Sequence, residues 1–315
     1  FDAVAVYHNV MLQRELVDQA DDNVKTHIRI VGSIREQIAG GGGSSADLAQ
    51  AEARLFRARA TVAVRLRDLR DSEALYTRVV GQFPDDLNMP EYSGDLLPGD
   101  LNQAVGWVND NSPTVRIFEA DVRTTEAEVG LAEAAFYPTV NVELETEYNN
   151  NRDGVRDWEW NTQAMVRMRW NLFRGGIDRA NRQEALARMS EAKSERYQQL
   201  ADSQEDMRNA WFEMESNRQL VEDLTAAVRF NIETRDAYVE QFDVAQRTLL
   251  DVLDAENELF VSRGRLTTAE ITEIVVGYEM LALGGQLLAT LAVSAPEQAV
   301  VDHKSWNEAV GLNWE

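Results

Sequence analysis

Asp251 and Asp254 lie three residues apart in Arg247-Thr248-Leu249-Leu250-Asp251-Val252-Leu253-Asp254-Ala255-Glu256. That spacing puts both carboxylates on one face of a helix. Such a pair can attract cations and repel anions. No catalytic partner accompanies it. His8, His27 and His303 are scattered, and they are expected on the surface rather than as ligands. No Ser/His/Asp set and no zinc-type spacing occurs. The absence of cysteine excludes disulfides and thiolate metal sites. The many acid–base pairs sit at salt-bridge spacing, the pattern of solvated helix faces. The run Gly40-Gly41-Gly42-Gly43-Ser44-Ser45 is no phosphate loop, because no lysine follows and no strand precedes it. It reads as a tolerant, flexible turn. Asn149, Asn151, Asp153 and Gly154 mimic a calcium loop, but its twelfth position is Trp160. An enzyme is excluded for lack of parts, and no cofactor or metal is expected.

Composition sets the class. Glycine (18) and proline (6) are scarce over 315 residues, and the rest is the mixture of long helices. A formal charge of -23 excludes nucleic acid as a partner. It also opposes anionic lipid headgroups. No apolar run reaches the ~18 residues of a spanning helix. The nearest, Leu281 to Val293, is interrupted by Gly284-Gly285-Gln286.

Spacings of three and four run from Asn181 to Phe242. Leu186, Met189, Tyr197, Leu200, Met207, Trp211, Met214, Val221, Leu224, Val228 and Ile232 trace one coiled-coil-like stripe. A helix over residues 178–240 would span roughly 95 Å. A second helix, 249–292, is predicted to return antiparallel after a turn at 243–248. An earlier hairpin pairs helix 2–38 with helix 46–80. Pro84, Pro90 and Pro98 mark a connector at 82–100. A helix over 100–134 follows, interrupted near Pro113, which suits a helix N-terminus.

Between these helices the period changes to two. Val140, Val142, Leu144, Thr146 and Tyr148 alternate with Asn141, Glu143, Glu145 and Glu147. After a turn-rich stretch, Trp158, Trp160, Ala164, Val166, Met168 and Trp170 alternate with Glu159, Asn161, Gln163, Arg167 and Arg169. This predicts a hairpin of two strands within 137–171, with one polar and one apolar face. A lone hairpin is unstable in water. Aromatic residues near the strand ends fit an outer-membrane barrel.

The chain also repeats itself at an offset of 204 residues, the difference between Asp251 and Asp47. Arg14-Glu15-Leu16-Val17 falls on Arg218-Gln219-Leu220-Val221. Ala51-Glu52 falls on Ala255-Glu256, and Gly81 on Gly285. About a dozen identities share this register, the mark of a duplication. Residues 1–81 form the first copy and 101–293 the second, which contains the helical hairpin 176–292. A tail covers 294–315. The stretch before Glu205 has no counterpart in the first copy, so the expectation is a chain missing about 100 residues at its start.

At this point the sequence resembles the TolC-like outer-membrane efflux and secretion channel family over nearly all of residues 1–295. The resemblance rests on Phe136-Tyr137-Pro138-Thr139-Val140, on Asn171-Leu172-Phe173-Arg174-Gly175-Gly176, on Gly81…Pro84…Leu87…Pro90…Leu97-Pro98, and on Gln246 through Glu256. It implies a mainly α fold in which long antiparallel coiled-coil helices form an α-barrel tunnel. A β-hairpin adds strands to a trimeric outer-membrane β-barrel. It implies a homotrimer in the bacterial outer membrane, reaching into the periplasm, with a periplasmic adaptor and an inner-membrane pump as partners.

Roles follow from the resemblance residue by residue. Glu143, Glu145, Gln163, Arg167 and Arg169 would line a watery lumen. Val140, Val142, Leu144, Trp160, Val166 and Trp170 would meet lipid. Gly175-Gly176 would let strand turn into helix where a side chain would obstruct. Asp251 and Asp254 would form the pore gate, with Arg247, Asp47 and Phe242 as ties. Gly41, Gly42, Ser44, Ala245, Gln246 and Thr248 would dock the adaptor. The wording at 148–160 and 171–178 leans toward type I secretion, including large adhesins, over multidrug efflux. A non-channel periplasmic coiled-coil adaptor or spacer is the alternative, and it predicts a hairpin buried against protein.

Overall fold

The computed structural model describes residues 1–42, 44–88, 96–150, 158–244 and 246–294. Gly43, connector residues 89–95 (with Pro90), loop 151–157, Ala245 and the tail 295–315 (with His303) lie outside the described residues. Nine elements are described. They are α1 (Asp2–Ala39), α2 (Ser45–Val80), α3 (Leu101–Asn111), α4 (Pro113–Ala134), β1 (Thr139–Asn150), β2 (Trp158–Arg169), α5 (Ile177–Asp243), α6 (Leu249–Leu283) and α7 (Leu287–Thr290). The chain divides into two compact units, residues 1–112 with 204 onward, and residues 113–203. Among the described residues no helix is long and apolar enough to cross a membrane.

In the first unit three helices start where polar side chains take up free N–H groups. Ser44 accepts from Ala46 N before α2. Asp100 accepts from Gln103 N before α3. Thr248 and Asp251 close a reciprocal box before α6. Val31, Ile34, Ala51, Leu55, Leu249 and Leu253 form one core cluster near the helix turns, with Phe242 and Leu48 against it. Val6, Val10 and Tyr76 form another. Tyr278, Leu281 and Leu287 form a third, against Trp107 and Leu97. Each large side chain buried there is worth about 1.5–3 kcal/mol.

The repeat is written in charge pairs. Arg14 and its copy Arg218 each bridge to a glutamate on the returning helix, Glu73 at 3.9 Å and Glu273 at 3.3 Å. Glu52 and its copy Glu256 each take an arginine from the preceding helix, Arg35 at 2.5 Å and Arg235 at 3.1 Å. In both cases one partner keeps its repeat position and the other moves by one helical turn. Arg14 also donates to the carbonyls of Pro84 and Asp85, and Tyr7 bonds the Asn88 backbone, so the connector is pinned to α1.

Several expectations are corrected. The return helix does not run unbroken from 249 to 292. It stops at Leu283, and α7 follows as a single turn. Gly285 has φ +70, and a Cβ there would meet the Asn111 carbonyl oxygen at 2.4 Å. The close approach to the end of α3 therefore demands glycine. The α5 stripe read from large residues is inward at every position but Tyr197, and small residues complete it. Met207 and Met214 are buried, but so are Ala185, Ala192, Ser203 and Ala210, while Tyr197 is 66% exposed. Small residues fill the seam between the larger ones, and Tyr197 points aside under the Arg196 guanidinium. Finally, His8 and His27 are buried rather than on the surface. His8 Nδ1 lies 2.8 Å from the Val4 carbonyl, and its ring packs tilted on Tyr278.

In the second unit, α4 pairs with the start of α5 through Glu133–Arg182, Glu126–Lys193 and Glu119–Arg196, at 2.8, 3.3 and 2.8 Å. β1 and β2 are antiparallel in the register Val140↔Met168, Val142↔Val166, Leu144↔Ala164 and Glu145↔Gln163. Opposed residues share a face, so the predicted apolar and polar faces are both real. The helix over 100–134 breaks where Pro113 opens α4. Gly175 and Gly176 both have positive φ, but a Cβ at either would meet nothing within 4 Å. Their glycines serve backbone conformation, not the clearance of an obstruction.

Replacing Gly285 by alanine should lower stability by about 2 kcal/mol or more. Gly106→Ala, inside α3 where a Cβ meets nothing, should raise it by about 0.5–1 kcal/mol. Thermal melting of the purified protein compares them. Equal melting temperatures for the two variants would refute the packing account.

Candidate functional site

The α5–α6 turn is built around Thr248. Its side chain accepts from Asp251 N at 3.3 Å, and its hydroxyl and backbone N–H donate to Asp251 Oδ2 at 2.7 and 3.2 Å. These bonds hold the Asp251 carboxyl below its ordinary value, the Thr248 hydroxyl first, then the Thr248 N–H, then the Arg247 charge. Arg247 Nη1 stands 4.0 Å from Asp251 Oδ1. Its Nε donates to Gln241 Oε1 at 2.9 Å, and the guanidinium lies over the Tyr238 ring at 4.2 Å. Arg247 therefore ties the turn to its own hairpin, through Gln241 and Tyr238. Asp47, read as its tie, lies in the first turn of α2, half-exposed. Phe242 is packed into the apolar cluster at the turns.

Asp251 and Asp254 line one open groove with Asn231, Tyr238 and Glu258. The structure thus keeps the two carboxylates on one side of α6. Their surroundings differ. Asp251 is taken up by its own cap, and Asp254 Oδ1 is bonded at 2.8 Å to Arg54 Nη2 of α2. Behind Asp254 lies a charged layer that spacing alone did not single out. Glu256 is buried and paired with Arg235 of α5. His27 of α1 is buried, with no partner on Nδ1, close enough to Glu256 and Arg54 to feel both charges. Glu256 belonged to the repeat identity, a signal that could have found it. Arg54 was findable from a charge reversal, because its repeat position holds Glu258.

At the first turn, Gly40 and Gly42 donate to the Glu36 and Gln37 carbonyls at 2.9 Å, and Gly41 sits at φ +83. Gly41, Gly42 and Ser44 are exposed, as are Gln246 and Thr248 at the second turn. Ala245 lies outside the described residues. Thr248 is a cap before it is a contact, since its hydroxyl is already used.

The hairpin carries the remaining candidates. Glu143 pairs with Arg167 at 3.1 Å, and Gln163 donates to Glu145 at 2.6 Å. Arg169 lies opposite Thr139 on the same polar face. On the other face Val142, Leu144, Trp160 and Val166 are 78, 74, 76 and 72% exposed, and Val140 and Trp170 are exposed as well. Trp170 Nε1 donates to the Phe136 carbonyl at 3.1 Å.

Two outcomes are expected from these surroundings. Thr248→Ala removes the cap and should cost about 1 kcal/mol in urea denaturation. An unchanged midpoint would show that the box contributes nothing. Burial holds His27 below its ordinary value of 6.5, with Glu256 opposing and Arg54 assisting. The unfolded chain then takes up a proton that the folded chain refuses. Stability is full above about pH 6.5 and is lost as pH falls through the lowered value. His27→Leu should therefore lose less stability than the parent between about pH 7 and about pH 5. Parallel declines would remove His27 from the account.

The sequence pattern of the family described as "Outer membrane efflux protein" matches residues 107–271. The chain is 27% identical over 293 residues to the outer membrane efflux protein BepC of Brucella suis, covering 92% of this chain and 63% of BepC. It is 23% identical over 310 residues to the solvent efflux pump outer membrane protein SrpC of Pseudomonas putida, covering 90% of this chain and 62% of SrpC. The chain thus spans less than two thirds of these relatives. The open-state MtrE outer membrane channel of Neisseria gonorrhoeae superposes with a TM-score of 0.75 at 20% identity, covering 90% of this chain and 65% of MtrE. With its pattern matched across more than half its length, the chain belongs to the outer membrane efflux protein family.

Proposed function

We propose that this chain is part of a trimeric outer-membrane channel-tunnel, a non-enzymatic exit duct for substrates delivered from the inner membrane. The observation that carries the reading is the two-faced hairpin. Its apolar face is uncovered along its length, and its opposed face is laced by Glu143–Arg167 and Glu145–Gln163. A soluble spacer would bury the first face. A barrel strand presents it to lipid and turns the polar face to water. Val140, Val142, Leu144, Trp160, Val166 and Trp170 meet lipid in this reading. Glu143, Glu145, Gln163, Arg167 and Arg169 face the lumen. The long helical hairpins extend into the periplasm.

The turns form the closed end. Asp251 and Asp254, repeated by three-fold symmetry, make carboxylate rings that favour cations. Arg247, Asp47 and Phe242 belong to the ties at that end. Gly41, Gly42, Ser44, Ala245, Gln246 and Thr248 offer the contact for a periplasmic adaptor, which joins the duct to an inner-membrane pump. For cargo we take efflux of small molecules. BepC and SrpC are named for efflux, whereas the lean toward type I secretion of large adhesins rests on the wording at 148–160 and 171–178 alone.

Val142→Arg places a charge against lipid and should cost about 2–4 kcal/mol of barrel stability, so that membrane-inserted trimer falls sharply. Gln163→Arg, on the lumen side, should insert normally. Planar-bilayer recording then tests the duct. Cation-selective conductance that changes in Asp251→Ala/Asp254→Ala supports it. Insertion indifferent to Val142→Arg would sink the strand assignment.

A further inference from the structure

We propose that Arg54 is a latch and charge neutraliser of the closed end, joining the first helical hairpin to the second through Asp254. The proposal rests on the reading of Asp251 and Asp254 as the gate. Arg54 lies on α2, in the first copy of the repeat, and Asp254 on α6, in the second. Arg54 Nη2 is 2.8 Å from Asp254 Oδ1, and its side chain is only 24% exposed, so the bond is shielded on the arginine side. The other charge pairs given above for these helices lie within one hairpin, Arg35 with Glu52 and Arg235 with Glu256. Arg54–Asp254 alone among them crosses from one copy to the other.

The duplication explains why the pair is complementary. Position 254 is aspartate where the first copy has Gln50, and position 258 is glutamate where the first copy has Arg54. Two acids one turn apart on α6 repel each other. The first copy carries no acid at either position and supplies the base. Arg54 therefore does two things at once. It holds α2 against α6, and it cancels one of the two carboxylates that would give the passage its charge. When the hairpins part, the bond breaks and Asp254 becomes a free anion. The fixed negative charge of the passage rises as it opens.

This predicts an unusual pair of signatures in single-channel recording of the membrane-inserted protein. Arg54→Gln and Asp254→Asn each remove the latch, and each should raise the opening equilibrium about two- to fivefold per latch. Their selectivities should move in opposite directions. Arg54→Gln leaves Asp254 uncompensated and increases cation preference, whereas Asp254→Asn does not. The exchange Arg54→Asp/Asp254→Arg should restore the parent's opening. Arg54→Gln with the parent's opening and selectivity overturns the proposal, as does an exchange variant that opens as much as the single variants. Asp251→Ala separates this failure from that of the gate itself. A change there with none in Arg54→Gln removes the latch and keeps the gate. No change in Asp251→Ala, Asp254→Asn or Arg54→Gln removes both.

Discussion

A two-stranded sheet with neither face covered is the constraint on which the rest depends. β1 and β2 hold a perfect antiparallel register over twelve residues each. Their ladder satisfies one edge of each strand and leaves the other open. Two strands are marginal in water even with a covered face. Here a row of valine, leucine and tryptophan stands in the open. More strands must close the edges, and something apolar must meet the row. The proposed membrane barrel would answer both demands at once, because closure removes edges and lipid accepts the apolar band.

The helices face a different problem. A long helix in a hairpin can bury only a stripe of its surface. Large side chains fill the stripe in a few places, such as Leu253 among Val31, Ile34 and Leu55. Along α5, alanine and serine share the seam with Met207 and Met214, and arginine–glutamate pairs lace the rims. Exposed pairs of this kind add little stability each. Their positions say more about register. Keeping one partner at its repeat position while the other moves one turn preserves the bridge and lets the two hairpins differ.

Much of this was legible in advance. Hairpin spacing, helix order, the Pro113 start and the two strand faces all follow from period and punctuation. The break after Leu283 was half-legible, since two glycines announced it, but the need for them lies in the Asn111 carbonyl, remote in sequence. The alanine and serine members of the α5 seam are not legible, because hydrophobic periodicity weighs large side chains. His8 and His27 were placed on the surface because histidine has no apolar signature. Their burial depends on neighbours such as Tyr278 and Glu256 that only the fold brings near. At the turn, spacing put Asp251 and Asp254 on one face, but spacing is blind to the bonds that set them apart.

That difference shapes what the turn can do. Asp251 is committed to the start of α6, and a carboxylate used as a cap is fixed in place as long as the helix holds. Asp254 is committed to a residue of another helix, and that commitment lasts only as long as the two helices stay together. Glu256, two residues on, is buried with Arg235 within its own hairpin, so it resists separation of α5 from α6 but not of α6 from α2. Three acids in six residues thus serve three levels of structure, the helix end, the hairpin and the junction between copies. The junction is the level whose carboxylate is the most exposed, Asp254 against Asp251 and Glu256, so water competes there most for the bond.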